Sequence, residues 1–168
     1  MKHGFARGYE IAMKLSLRIL LPAFVFSLAP AASASGADVP YWASLRVDEV
    51  NMRVGPGEDY RILWVYRRPS LPVKVIRLKE GWRLVRDPDG TEGWMLARFL
   101  SRARGGIVTG KGVAEMREKA DADSRLLWRL EPGVTGRLGD CGGGWCRFDA
   151  AGHAGFVPEE RLFGAGKP

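Results

Sequence analysis

The sequence predicts an all-β chain of two small antiparallel barrels in tandem. Three observations carry that reading. A passage is written twice: residues 51–66 read NMRVGPGEDYRILWVY and residues 115–130 read EMREKADADSRLLWRL. Met52, Arg53, Asp59, Arg61, Leu63 and Trp64 thus recur 64 positions later as Met116, Arg117, Asp123, Arg125, Leu127 and Trp128. Short apolar alternations are separated by glycine, proline and aspartate turns, the pattern of half-buried strands. No segment shows a sustained helical period. Closing such short strands into a barrel removes exposed sheet edges.

The N-terminus is set apart from the barrels. Lys14 and Arg18 precede an apolar run, ILLPAFVFSLA, at residues 19–29. It is shorter than the roughly 20 residues a membrane helix needs and suits the apolar region of a secretory signal. Ala32-Ser33-Ala34 is a small-residue cleavage site, so residues 1–34 are predicted to be removed and the mature chain to begin at Ser35. Ser35-Gly36-Ala37 is a second site for the cut, an uncleaved anchor is the alternative, and the start lies at Met1 or Met13. No cysteine lies directly after the apolar run, in residues 30–37, so a lipoprotein is not expected. The predicted location is exported and periplasmic.

Much of the basic charge belongs to that segment. The whole chain carries +7; without residues 1–34 it carries 22 basic and 18 acidic residues, or +4. Residues 41–104 hold 13 basic and 8 acidic side chains, and residues 105–168 hold 9 of each. So small an excess does not predict a nucleic-acid partner, although the first half offers a mildly positive face to an anionic one.

Within the first copy, residues 41–104, Val50, Met52 and Val54 alternate, GPGED forms a loop, and Ile62, Trp64 and Tyr66 alternate again. Arg67-Arg68-Pro69 breaks the chain. Val73 and Val75 lead to a Lys79-Glu80-Gly81 turn, Trp82 and Leu84 follow, and Asp89-Gly90 signals a hairpin into Gly93-Trp94-Met95-Leu96. About five strands per copy are expected. In the second copy, residues 105–164, Trp145 answers Trp82, Gly155-Phe156 answers Gly93-Trp94, and Leu162 answers Leu100. Each unit alone is marginal at that size, so the two are expected to pack through an apolar face across a short linker near residues 101–111.

The order NMRVGPGEDY, WV, LPVKVI, GWRLVRDPDGTEGW resembles the bacterial SH3 domain, and the closing half of the second copy (CGGGWCRF, AGHAGFV, RLFG) fits it too. The chain as a whole resembles an exported bacterial family with tandem SH3-like domains. The resemblance implies an SH3-like fold, a place in the cell envelope and no established catalytic activity; it carries over no ligand residues. The stacked tyrosines with which other SH3 domains grip proline-rich helices have no counterpart here.

Glycine and proline in RVGPGEDY imply a loop needing positive φ or close approach. The second copy writes EKADAD instead of VGPGED, so its loop is expected to differ. Cys141 and Cys146, the only cysteines, lie in DCGGGWCRF, and His153 is the one histidine after residue 34. Without other soft ligands a metal site is not expected, and in an oxidising compartment the pair reads as a disulfide.

Residues 105–112, GGIVTGKG, approach a phosphate loop, but Gly112 stands where Ser or Thr is needed to bind magnesium. They read as a glycine-rich linker, and neither nucleotide nor any other cofactor is expected. One histidine and paired cysteines leave no Cys–His pair, serine triad or zinc set; Asp and Glu are plentiful enough for a carboxylate pair, but no remaining segment is long enough for a catalytic domain, so the chain does not read as an enzyme. A binding or scaffold role in the envelope is expected, with peptidoglycan stem peptides or an envelope protein as partner. A purely structural component, or an accessory part of a cell-wall hydrolase, are the alternatives. Trp64 and Trp94 alternate with apolar neighbours and are expected in the core. Tyr60 and Trp82 lie beside turns, and Arg67 and Arg68 could read an anionic group. These four define the candidate ligand groove on the first barrel, around the loop at residues 55–60.

Overall fold

The computed structural model describes residues 38–168; the predicted signal segment lies outside them. The first sheet contains β1 (Tyr41–Leu45), β2 (Val50–Arg53), β3 (Ile62–Tyr66), β4 (Pro72–Lys79), β5 (Trp82–Arg86), β6 (Glu92–Leu96) and β7 (Leu100–Ser101). The second contains β8 (Gly105–Val108), β9 (Ala114–Arg117), β10 (Leu126–Leu130), β11 (Thr135–Gly142), β12 (Trp145–Ala150), β13 (His153–Pro158) and β14 (Leu162–Phe163). Their orders, β3-β2-β6-β5-β4-β1-β7 and β10-β9-β13-β12-β11-β8-β14, are the same topology twice. Seven strands per barrel exceed the expected five. The two missed in each copy, first and last in chain order, pair with one another, and the last is only two residues long.

Packing explains why particular residues recur. Met52 and Met116 are both fully buried, each worth about 1.5–3 kcal/mol of apolar burial. A Cβ on Gly93 would strike the side chain of Met52, and one on Gly155 that of Met116. The repeated methionine and the repeated glycine are thus one contact, made in each barrel.

The tryptophan of the repeat corrects its predicted place. Trp64 is 58% exposed and Trp128 47%. In each edge strand a bulge inserts one residue: Met52 pairs with Trp64 but Arg53 with Ile62, and Met116 pairs with Trp128 but Arg117 with Leu126. In β3 the extra residue, Leu63, is the one packed on the core. A bulge breaks strict alternation, so the apolar pattern that assigns Trp64 to the core points the wrong way. Trp94 is not a core residue either. Gly93 and Met95 face inward, while Trp94 is half-buried on the opposite face, beside Arg53 and Leu84.

Residues 105–108 are likewise no linker. They form β8, every residue of it buried. A Cβ on Gly105 would collide with the Ser70 carbonyl, and one on Gly136 with the Asp149 carbonyl. The glycines permit close backbone approach. Ile107 of β8 is buried in the first core, Phe163 of β14 packs on that core, and Trp42 meets Phe163 edge-on with ring centroids 4.9 Å apart. The barrels therefore share apolar surface, as the small size of each requires.

Candidate functional site

The loop between β2 and β3 repeats its backbone in the second barrel, contrary to the expectation that the two loops differ. Val54 N–H donates to the Arg61 carbonyl as Glu118 N–H does to Arg125; Gly57 donates to Gly55 as Asp121 does to Lys119; Tyr60 donates to Gly57 as Ser124 does to Asp121. Arg53 Nη1 donates to the Tyr60 carbonyl at 2.7 Å, and Arg117 Nη1 to the Ser124 carbonyl at 2.6 Å. The repeated arginine is the brace of this loop.

Neither Gly55 nor Gly57 adopts a left-handed φ. What each meets is Tyr60: a Cβ on Gly55 would overlap its ring, and one on Gly57 would lie 3.0 Å from Cδ2. The second copy has Ser124 in place of Tyr60, and there the same backbone carries Lys119 and Asp121. Glycine is needed in the first loop to seat an aromatic side chain that remains 48% exposed.

Beside this loop lies a cleft of about 230 Å³ lined by Asn51, Arg53, Glu58, Trp82, Leu96, Arg98 and Phe99. Three of these residues, Arg53, Trp82 and Leu96, share one sheet face by register. Arg53 pairs with Trp94, Trp94 with Leu84 and Leu96 with Trp82, so one face of β2, β6 and β5 presents Arg53, Trp94, Leu84, Leu96 and Trp82. The loop closes one side through Glu58, whose carboxylate stands 3.9 Å from Arg98.

Of the four sequence-selected residues, Trp82 lines this cleft, and Tyr60 lies on the loop that bounds it. Arg67 and Arg68 follow β3, whereas Tyr60 precedes it, which separates them by roughly 16 Å. Arg67 pairs with Glu49 at 2.8 Å. Arg68 Nη1 donates to the Gly133 carbonyl of the second barrel at 2.9 Å. Arg53, Asn51, Arg98 and Phe99 are cleft residues that sequence reasoning passed over. The repeated Met-Arg pair was the available signal for Arg53.

A larger cleft, about 540 Å³, runs between the barrels and includes Tyr66, Arg68, Asp87, Asp89 and Gly133. Its polar floor is already satisfied. Buried Asp87 accepts from the Tyr66 hydroxyl at 2.6 Å and from the N–H groups of Asp89 and Thr91 at 3.0 and 2.8 Å. Burial, then the bond to Asp87, push the Tyr66 hydroxyl well above the usual tyrosine range.

Cys141 and Cys146 are joined by a disulfide and face each other as cross-strand partners of β11 and β12. Gly143 and Gly144 between those strands have φ of 61° and 81°, the geometry of a tight two-residue hairpin. His153 opens β13 and stacks on Trp128 with centroids 4.1 Å apart.

Two copies of one seven-stranded unit, with a cleft on the first, define a tandem small-barrel protein. The chain belongs to the bacterial SH3 domain family, whose model matches residues 46–101 and 110–164. No curated protein matches it. Solved structures that align with it include NlpC2 from Trichomonas vaginalis, at 13% identity over 76% of this chain and 49% of that one, TM-score 0.34. An NlpC/P60 family protein from Bacillus cereus aligns at 12% identity over 73% of this chain and 56% of that one, TM-score 0.33. An NlpC/P60 endopeptidase from Photobacterium damselae subsp. piscicida aligns at 16% identity over 73% and 33%, TM-score 0.33. The chain spans between a third and a little over half of the length of these proteins.

Proposed function

We propose that this protein is a non-catalytic binding module of the cell envelope that holds peptidoglycan through the cleft of its first barrel. The observation that carries the reading is internal. Two loops share one backbone, yet only the first uses glycines to seat an exposed aromatic, and it does so beside a tryptophan-lined cleft. An aromatic ring seated on the loop glycines and still half in solvent suits recognition better than stability. Membership of the bacterial SH3 domain family and the disulfide support an exported role.

Co-sedimentation with purified sacculi tests the reading. The wild-type protein is expected in the pellet, and Trp82→Ala and Tyr60→Ser in the supernatant with their thermal midpoints nearly unchanged. Retention of both variants at the wild-type level would favour a purely structural component.

A further inference from the structure

We infer that the first-barrel cleft recognises a carboxylate, that of a peptide terminus in the wall, and that Asn51 sets this specificity by leaving the Arg53 guanidinium uncommitted. The inference rests on the cleft being the binding site proposed above.

Asn51 and Glu115 occupy the same place, two residues before the arginine that braces each loop. In the second barrel Arg117 forms an ion pair with Glu115. Its guanidinium serves the loop carbonyl of Ser124 with one nitrogen and the carboxylate with the other. In the first barrel the loop bond is retained, from Arg53 Nη1 to Tyr60. The carboxylate is replaced by a neutral amide, and among the described residues no acid forms an ion pair with Arg53. Arginine offers five N–H donors in a planar fork, and one loop bond leaves the edge suited to a carboxylate unused. The second barrel shows, within the same chain, that a carboxylate fits against this arginine on this backbone.

The rest of the cleft favours an anion beside an apolar group. Arg98 adds a second cation; Glu58 is the one acid lining the space, and it faces Arg98. Residues 41–104 hold 13 basic against 8 acidic side chains, so the long-range field also draws anions to this barrel. The remaining wall is Trp82, Leu96 and Phe99. That apolar wall suits the methyl group of an alanyl residue beside a carboxylate held by Arg53. About 230 Å³ accommodates one terminal residue and its carboxylate rather than a disaccharide.

The test uses the full mature chain and calorimetric titration with a tripeptide ending in D-alanyl-D-alanine, its C-terminal amide, and N-acetylmuramic acid. The free acid is expected to bind, and the amide about tenfold or more weaker, since a charge-assisted pair is lost. Asn51→Glu, which installs the second barrel's ion pair, is expected to weaken the acid by about as much with no loss of thermal stability. Glu115→Gln, the equivalent change in the second barrel and away from the cleft, should bind like the wild type. Equal affinity for acid and amide, or undiminished binding by Asn51→Glu, overturns the inference. So does N-acetylmuramic acid binding as well as the peptide, which would move the carboxylate to the sugar. If sacculi still retain the protein in any of those cases, the envelope-binding reading stands without the carboxylate; if wild-type protein is not retained by sacculi, both fall.

Discussion

The ring of Tyr60 fills the space into which a Cβ on Gly55 would project. Two positions that the sequence separates are thereby one decision: keep both the glycine and the tyrosine, or neither, as Lys119 and Ser124 do in the second barrel. Gly55→Ala is expected to cost about 1–2 kcal/mol, and the same change in a Tyr60→Ser background to cost much less. Urea unfolding of the two singles and the double variant gives the coupling. Strict additivity of the two changes would show that the ring does not depend on the glycine.

The Tyr66 hydroxyl donates to the buried Asp87 carboxylate at 2.6 Å. Tyr66→Phe leaves one oxygen of a buried carboxylate without its donor and is expected to cost about 1–3 kcal/mol. The folded pKa of Tyr66 is raised, chiefly by burial, so the neutral hydroxyl is the form the native state prefers. This stability is complete below the unfolded tyrosine value of about 10 and lost as pH rises above it. Unfolding free energies measured on both sides of that value should fall for the wild type and change less for Tyr66→Phe. An equal fall in both would assign the alkaline loss to other groups.

The disulfide closes a short hairpin rather than a long loop, so its contribution is modest. Chain entropy gives about 2 kcal/mol for residues five apart. Reduction, or Cys141→Ala, should lower stability by that amount and leave the first barrel folded. Intact-mass analysis after alkylation that finds two free thiols in exported protein would remove the premise.

Ile107 belongs by sequence to the second barrel and by packing to the first core. Ile107→Ala is expected to cost about 2–4 kcal/mol and to destabilise both barrels together. Scanning calorimetry should show one transition in the wild type. Two separate transitions, with only the second moved by the substitution, would contradict a shared core.

The repeat made the architecture legible because fold symmetry is written as residue symmetry: Met52 with Gly93 recurs as Met116 with Gly155. The disulfide partners could be named from compartment and spacing. The face on which Trp64 lies could not, because a single inserted residue at Leu63 reverses inside and outside while leaving the apolar pattern intact. The candidate cleft was legible in part. The loop and Trp82 were found by their neighbouring turns, but Arg67 and Arg68 lie at the far end of β3, where their contacts are Glu49 and Gly133. Arg53 was hidden by its own recurrence. A repeated arginine reads as structural, and only the change from Glu115 to Asn51 beside it shows that the two copies differ in chemistry.

Trp82 and Trp145 occupy equivalent positions, each half-buried at the start of its strand, and only the first lines the cleft. Retention on sacculi of Trp82→Ala against Trp145→Ala, with midpoints recorded for both, therefore tests the central claim most directly. The account predicts that Trp82→Ala loses about tenfold or more in retention, as removal of an aromatic anchor should. Trp145→Ala should bind like the wild type whatever its effect on stability. Equal losses in the two variants, or a loss confined to Trp145→Ala, would contradict it.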